Sequence, residues 1–296
     1  MEYLRWIERP TLRKPRWISA FVGWADAQEG ASRSVRYIIE RLQAKKFAEL
    51  DTEEFYDFTA VRPMVYSKQD GERVIRWPSN NFYYWIDPIG ERDLLVFLGT
   101  EPSLKWRTYT QMLMDVIDPY GVTEVLNLGS LMDAVPHTRE APLSGGANKD
   151  ELLPRLAGLR IMGRTYQGPI GITSVFTDAC IKRGMDYLSL WGHAPHYVQR
   201  APNWKVAKAI VAKANEIYGL AIPVDDLERR AQAFEIEVTK AIVQSAEVTA
   251  YVKRLEKQHD ATLAQAEPLP SAESVVKELD DFYKRGAKPD EGFSQN

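Results

Sequence analysis

Hydrophobic positions in the first 220 residues alternate between short unbroken runs and longer stretches carrying an apolar stripe. The run Trp17-Ile-Ser-Ala-Phe-Val-Gly-Trp24 has the pattern of a strand covered on both faces. From Ala27 to Leu42 the apolar residues Val35, Ile38, Ile39 and Leu42 fall at helical spacing, which predicts a βα unit. Three β-rich stretches follow, Glu53 to Phe58, Met64 to Tyr66 and Val74 to Trp77. With the turn dipeptide Asp70-Gly71 they suggest an inserted antiparallel hairpin. Phe82 to Ile86, Leu94 to Leu98 and Val125 to Leu128 read as further strands, with a helix from about Leu104 to Tyr120. The polar stretch Pro136 to Asp150, containing Ser144-Gly-Gly-Ala-Asn148, has the composition of a surface loop. Glu151 to Leu156, Ile170 to Ile172, Val175 to Lys182, Tyr187 to Trp191 and Trp204 to Tyr218 continue the alternation of short helices and strands. The expected fold class is α/β: a three-layer α/β/α sandwich with a mostly parallel central sheet, an inserted β-hairpin and a C-terminal helical appendix.

The texture changes beyond Pro223. Asp225 and Glu228 have the spacing of a capping box, and Leu227, Ala231, Phe234, Val238, Ala241, Ser245, Val248, Val252 and Leu255 form a heptad seam. Such a seam needs a partner, either the domain's own surface or another subunit. The organisation expected is a core over residues 1–222, a long amphipathic helical extension over 223–260, and a linker, short helix and disordered tail over 261–296.

Composition narrows the classes. Of 296 residues, 45% are hydrophobic, enough for a sizeable core. Thirty-eight basic against 41 acidic residues give a net charge of -3, so no broad cationic field favours nucleic acid or an anionic membrane. The acidic share is concentrated late, with 15 acidic and 10 basic residues over 225–296. A single cysteine, Cys180, excludes an intrachain disulfide and any site of several thiolates. Met1 to Trp17 interleaves charges with apolar residues and so has no signal-peptide core. No apolar run approaches the ~20 residues of a membrane span. A cytoplasmic location is expected.

Parallel sheets bind ligands beyond the carboxyl ends of their strands, so the residues after each predicted strand are the natural candidates. These are Asp26, Glu101, Asp133, His137, Arg139, His193 and His196. As an active site, Glu101, His137 and His193 would do general acid and base work. Asp26, Asp133, Arg139 and His196 would bind ligand, with Arg139 on an anionic group. Asp26 and Glu101 equally suit helix termini. His193-Ala-Pro-His196 lacks a His-Glu-x-x-His helix, so no metal is expected, and no cofactor either. The Ser144-Gly-Gly segment could wrap a phosphate with backbone N–H groups, but it lacks P-loop spacing. Lysines and paired carboxylates for an ATP-dependent ligase are not placed.

Taken together, Gly23-Trp-Ala-Asp-Ala27, Gly99-Thr-Glu-Pro102, Leu128-Gly-Ser-Leu-Met-Asp-Ala-Val-Pro-His-Thr-Arg139, Gly168-Pro-Ile-Gly-Ile172 and Ser189-Leu-Trp-Gly-His-Ala-Pro-His-Tyr-Val198 resemble the proteasome assembly chaperone 2 family in order and spacing. The resemblance implies a sandwich similar to the phosphorylase/hydrolase-like fold, often built into homo-oligomers. It also implies a non-enzymatic, chaperone-like role with a protein client such as a proteasome subunit. Relatives that dock on the proteasome core can end in a hydrophobic-tyrosine-any-residue tail, whereas this chain ends Phe293-Ser-Gln-Asn296. The acidic appendix, with its linker through Leu269-Pro270-Ser271, resembles the bacterial branch. The alternative is a small-molecule hydrolase- or phosphorylase-like enzyme or binder using the strand-end cluster.

Overall fold

The computed structural model describes residues 3–68, 70–162, 167–199 and 202–266. Its strands are β1 (Leu4–Trp6), β2 (Arg16–Val22), β3 (Lys45–Leu50), β4 (Met64–Ser67), β5 (Arg73–Arg76), β6 (Asn80–Trp85), β7 (Leu94–Thr100), β8 (Glu124–Asp133), β9 (Leu143–Ala147), β10 (Arg160–Ile161) and β11 (Asp186–Pro195). Its helices are α1 (Gly30–Leu42), α2 (Trp106–Ile117), α3 (Ile172–Lys182), α4 (Trp204–Tyr218), α5 (Asp225–Ile242) and α6 (Ala246–Ala266). Nine strands form one sheet in the order β1-β3-β6-β7-β2-β8-β11-β9-β10. Its centre, β7-β2-β8-β11, is parallel, and both flanks join it antiparallel. This is the α/β/α sandwich that the alternating pattern predicts.

Alternation along β2 divides the core in two. Ile18 and Ala20 pack with Val35 and Ile38 of α1 and Val206 and Ile210 of α4. Trp17 and Phe21 turn to the other face, among Leu113 and Met114 of α2 and Phe176 and Cys180 of α3. Successive side chains of a strand point to opposite faces, so a continuous apolar run is what a strand between two helical layers requires. Burial among these side chains pushes the Cys180 thiol up to about 12, which makes it a core residue and not a nucleophile.

Several local expectations are corrected. Glu53 to Phe58 is not a strand: Phe55 and Tyr56 are buried in an irregular segment. The charged stretch Lys45-Lys-Phe-Ala-Glu-Leu50 supplies β3 instead. Ser144-Gly-Gly-Ala147 lies in β9, paired with β11, and is not a surface loop. Glycine is required at Gly145 because a Cβ there would crowd Leu156 and the Ser189 carbonyl. Met64–Ser67 and Arg73–Arg76 do form the hairpin, as a separate two-stranded sheet.

The C-terminal extension is two helices, broken over residues 243–245. The capping box does not form. Val224 is the N-cap without a side-chain bond, and Glu228 pairs with Lys208. Ser245 opens α6 by accepting the Val248 N–H with its hydroxyl. The seam residues Leu227, Ala231, Phe234, Val238, Val252 and Leu255 are buried against the chain's own surface. The seam therefore finds its partner within the chain. Helix α6 continues to Ala266, past the start of the linker read at Ala261, and the expected short helix and tail lie outside the described residues.

Candidate functional site

All four histidines lie where the carboxyl ends of β8 and β11 meet α5 and α6, and each has a hydrogen-bond partner or an acidic neighbour. His193, at the end of β11, is 2% exposed. Its Nδ1 is 2.7 Å from Asp133 Oδ2, and its Nε2 is 2.8 Å from Ser144 Oγ. An ionised carboxylate can only accept, so Nδ1 carries the proton and Nε2 accepts from the serine hydroxyl. Asp133, His193 and Ser144 thus form a continuous carboxylate-imidazole-hydroxyl chain across β8, β11 and β9.

His137, in the segment after β8, is fixed by a second chain. Tyr197 Oη accepts the His137 backbone N–H at 2.8 Å and lies 2.8 Å from Nδ1, while Nε2 is 3.1 Å from Thr239 Oγ1 of α5. With its lone pair taken by the backbone N–H, the tyrosine donates to Nδ1 and leaves Nε2–H for Thr239. Lys205 donates to the His137 carbonyl at 2.7 Å and also pairs with Glu235 of α5.

Helix α6 completes the roof. Arg139 donates to both carboxylate oxygens of Asp260 at 2.9 Å, and Thr138 donates to Glu256. Asp260 holds the guanidinium of Arg139 above its ordinary pKa, and Arg139 in turn draws the Asp260 carboxyl below its own. His196 Nδ1 is 3.0 Å from the Asp133 carbonyl, and Tyr251 of α6 lies 3.3 Å from its Nε2. A cavity of about 10 Å³, counted as space open to the centre of a water molecule, lies between His137, His193, Arg139, Asn203, Lys205 and Phe234. That is room for about one water molecule.

The structure therefore brings Asp133, His137, Arg139, His193 and His196 together and leaves Glu101 and Asp26 apart. Glu101 follows β7 and is a latch: Oε2 accepts the Trp24 N–H at 3.0 Å and Oε1 the Ile172 N–H at 2.9 Å. A Cβ at Gly23 or Gly171 would approach Glu101 atoms to 2.9 Å, and Gly23 also has φ +137°. Three separate sequence motifs thus meet at one carboxylate, which serves the first turn of α3. Asp26 Oδ1 accepts the Ser32 N–H at 2.9 Å in the first turn of α1. Burial raises the Asp26 pKa against those bonds, and Oδ2 has no partner among the described residues.

Sequence reasoning missed Ser144, Lys205, Tyr197, Thr239 and Tyr251. Ser144 was concealed by glycines that read as a turn, and the others carry no motif of their own. Gln28 was missed too. With φ 50°, its amide donates to the carbonyls of Pro195 and Val198 at 2.8 and 2.6 Å, and its Oε1 accepts from Asn203 at 2.8 Å. Asn203 caps α4, accepting the N–H groups of Lys205 and Val206. Among the described residues no group of three or more His, Cys, Asp or Glu is placed to hold a metal ion. No described helix is long and apolar enough to cross a membrane.

Burial lowers the pKa of both His137 and His193, against the pull of Glu235 on the first and of Asp133 on the second. Their neutral forms are therefore favoured in the fold. The stability they contribute is full above the unfolded histidine value of about 6.5 and is lost as pH falls towards the lower folded values. Urea midpoints should fall as pH drops from neutrality through this window, and a flat profile would contradict the neutral assignments. The Glu101→Gln variant replaces one acceptor by a donor facing an N–H. Its destabilisation should be about 1–3 kcal/mol, read as a lower urea midpoint, and an unchanged midpoint would show that the latch carries no stability.

The PAC2 family model matches residues 20–242. A PAC2 family protein from Streptomyces avermitilis is 34% identical, over 80% of this chain and 99% of its own, with a TM-score of 0.71. A proteasome-assembly chaperone homologue from Mycobacterium tuberculosis is also 34% identical over the same shares, with a TM-score of 0.70. An archaeal proteasome activator from Pyrococcus furiosus shares the fold at 24% identity, over 81% of this chain and 99% of its own, with a TM-score of 0.67. The matched residues contain the Glu101 latch, the Asp133-His193-Ser144 chain and α5, and on this basis the chain belongs to the PAC2 family.

Proposed function

We propose that this chain is a cytoplasmic, homo-oligomeric interaction protein with an assembly-chaperone-like role and a proteasome-class protein as its partner. The observation that carries the reading is how the strand ends are used. Their polar side chains are consumed in bonds to one another and to α5 and α6, and the space left holds about one water molecule. Substrate pockets are hundreds of Å³. On the other half of the same sheet end, Trp24, Leu104 and Ile170 are exposed, with Trp24 at 67%. An apolar surface beside a filled site suits protein contact better than small-molecule chemistry. The relatives described as a proteasome-assembly chaperone homologue and a proteasome activator support the partner class.

Purified full-length protein should bind the proteasome core, or its unassembled subunits, from the same organism, measured by native gel shift and interferometry. Trp24→Ala should weaken binding by about 1 kcal/mol or more, the loss expected of an aromatic contact. Absence of binding to any proteasome subunit would overturn the partner assignment.

One observation favours a second reading, hydrolysis: the order Asp133-His193-Ser144 is that of an acyl-transfer triad. Ser144 is fully buried, which opposes attack on any substrate. This reading requires ester hydrolysis that is abolished in Ser144→Ala, and absence of turnover with small aryl esters would end it.

A further inference from the structure

The hairpin β4-β5 is the most exposed regular structure in the molecule, with all eight of its strand residues open. The connection 51–79 that carries it leaves β3 and enters β6 at the carboxyl end of the parallel strands, the end on which Trp24 lies. Met64, Val65, Tyr66, Val74 and Ile75 expose apolar surface on both of its faces, and Trp77 continues it against Phe58. A two-stranded ribbon by itself is marginal in water, and open strand edges are templates for another chain.

The pairing decides which edge can do this. The Gly71 N–H donates to the Lys68 carbonyl at 3.0 Å and the Lys68 N–H to the Glu72 carbonyl at 2.8 Å, with Gly71 at φ +86°. This is a type I turn closed by a glycine bulge. Inward and outward backbone groups alternate from that point along the ladder. With Tyr66 facing Val74 and Met64 facing Arg76 as bonded pairs, Arg73 and Ile75 turn their N–H and C=O groups outward from β5. Val65 and Ser67 do so from β4.

Resting on the reading that the chain self-associates, we propose that the outer edge of β5 pairs antiparallel with β5 of a second copy, about a two-fold axis at Val74. In that register Arg73 faces Ile75 of the second copy, so outward groups meet outward groups, and Val74 faces its own counterpart. Glu72 then lies opposite Arg76 of the second copy, and the symmetry repeats the pair. Moving the axis to Arg73 would set two arginines face to face, and moving it to Ile75 would lose both charge pairs. The β4 edge is preceded by Pro63 and in the corresponding register would set Lys68 against Met64. Charge and backbone parity together select one edge, one register and a second copy as the occupant.

The test is the association constant of the full chain, by sedimentation equilibrium. Glu72→Arg and Arg76→Glu should each weaken self-association by roughly tenfold or more, because each turns two attractive cross-strand pairs repulsive. The double variant Glu72→Arg/Arg76→Glu should restore it. Rescue separates this pairing from any general effect on the hairpin. A protein that stays monomeric overturns both this pairing and the homo-oligomer reading. An oligomer indifferent to the single variants, or one that the double variant fails to restore, overturns the pairing alone.

Discussion

His193 is buried between Asp133 and Ser144, and from that constraint the arrangement of the whole strand-end region follows. A buried imidazole left without partners would cost on the order of 1–3 kcal/mol. Here both ring nitrogens are satisfied by strands on either side, β8 through Asp133 and β9 through Ser144. The bonds hold three strands in register at the end where the chain continues into the His137 segment and the turn bearing His196. That turn is held in its own right by Gln28, which binds two of its carbonyls from a left-handed backbone position. Asn203 joins the same group and starts α4 beneath it.

Helices α5 and α6 are the counterpart of this polar layer. Their apolar seam buries Leu227, Phe234, Val238, Val252 and Leu255, while Thr239, Glu235, Tyr251, Glu256 and Asp260 meet the polar groups below. The two sets alternate because a helix resting on a mixed surface must satisfy each neighbour in turn. The acidic character of the extension is thereby partly used up against Arg139 and Lys205, a pairing that net charge alone does not reveal.

On the other half of the sheet end, Glu101 binds two backbone N–H groups from segments that are distant in sequence. Gly23 and Gly171 provide the close approach that makes this possible. Motifs that resemble active-site loops one at a time become, in three dimensions, parts of one joint. The exposed residues around it, Trp24, Leu104 and Ile170, remain the surface on which a partner can act.

Much of this was legible in the chain. Unbroken apolar runs locate the central strands, since a strand between two helical layers has no polar face. The 3.6-residue spacing places α1 and α4, and Trp204–Tyr218 was readable to the residue because Asn203 and Gly219 punctuate it. The strand-end list correctly collected Asp133, His137, Arg139, His193 and His196, because parallel strands deliver whatever follows them to one edge. β3 was hidden by its lysines and β9 by its glycines: at a sheet margin, neighbouring backbone and not side-chain hydrophobicity decides pairing. Whether the histidines face a substrate or one another could not be read from spacing, since hydrogen bonds across 49 to 102 residues depend on which helix comes to lie above them. The sequence by itself determined the layers and the address of the polar cluster. Only the tertiary structure decided that the cluster is filled from within, because burial makes every one of those polar groups find a partner and the chain's own C-terminal helices supply part of them.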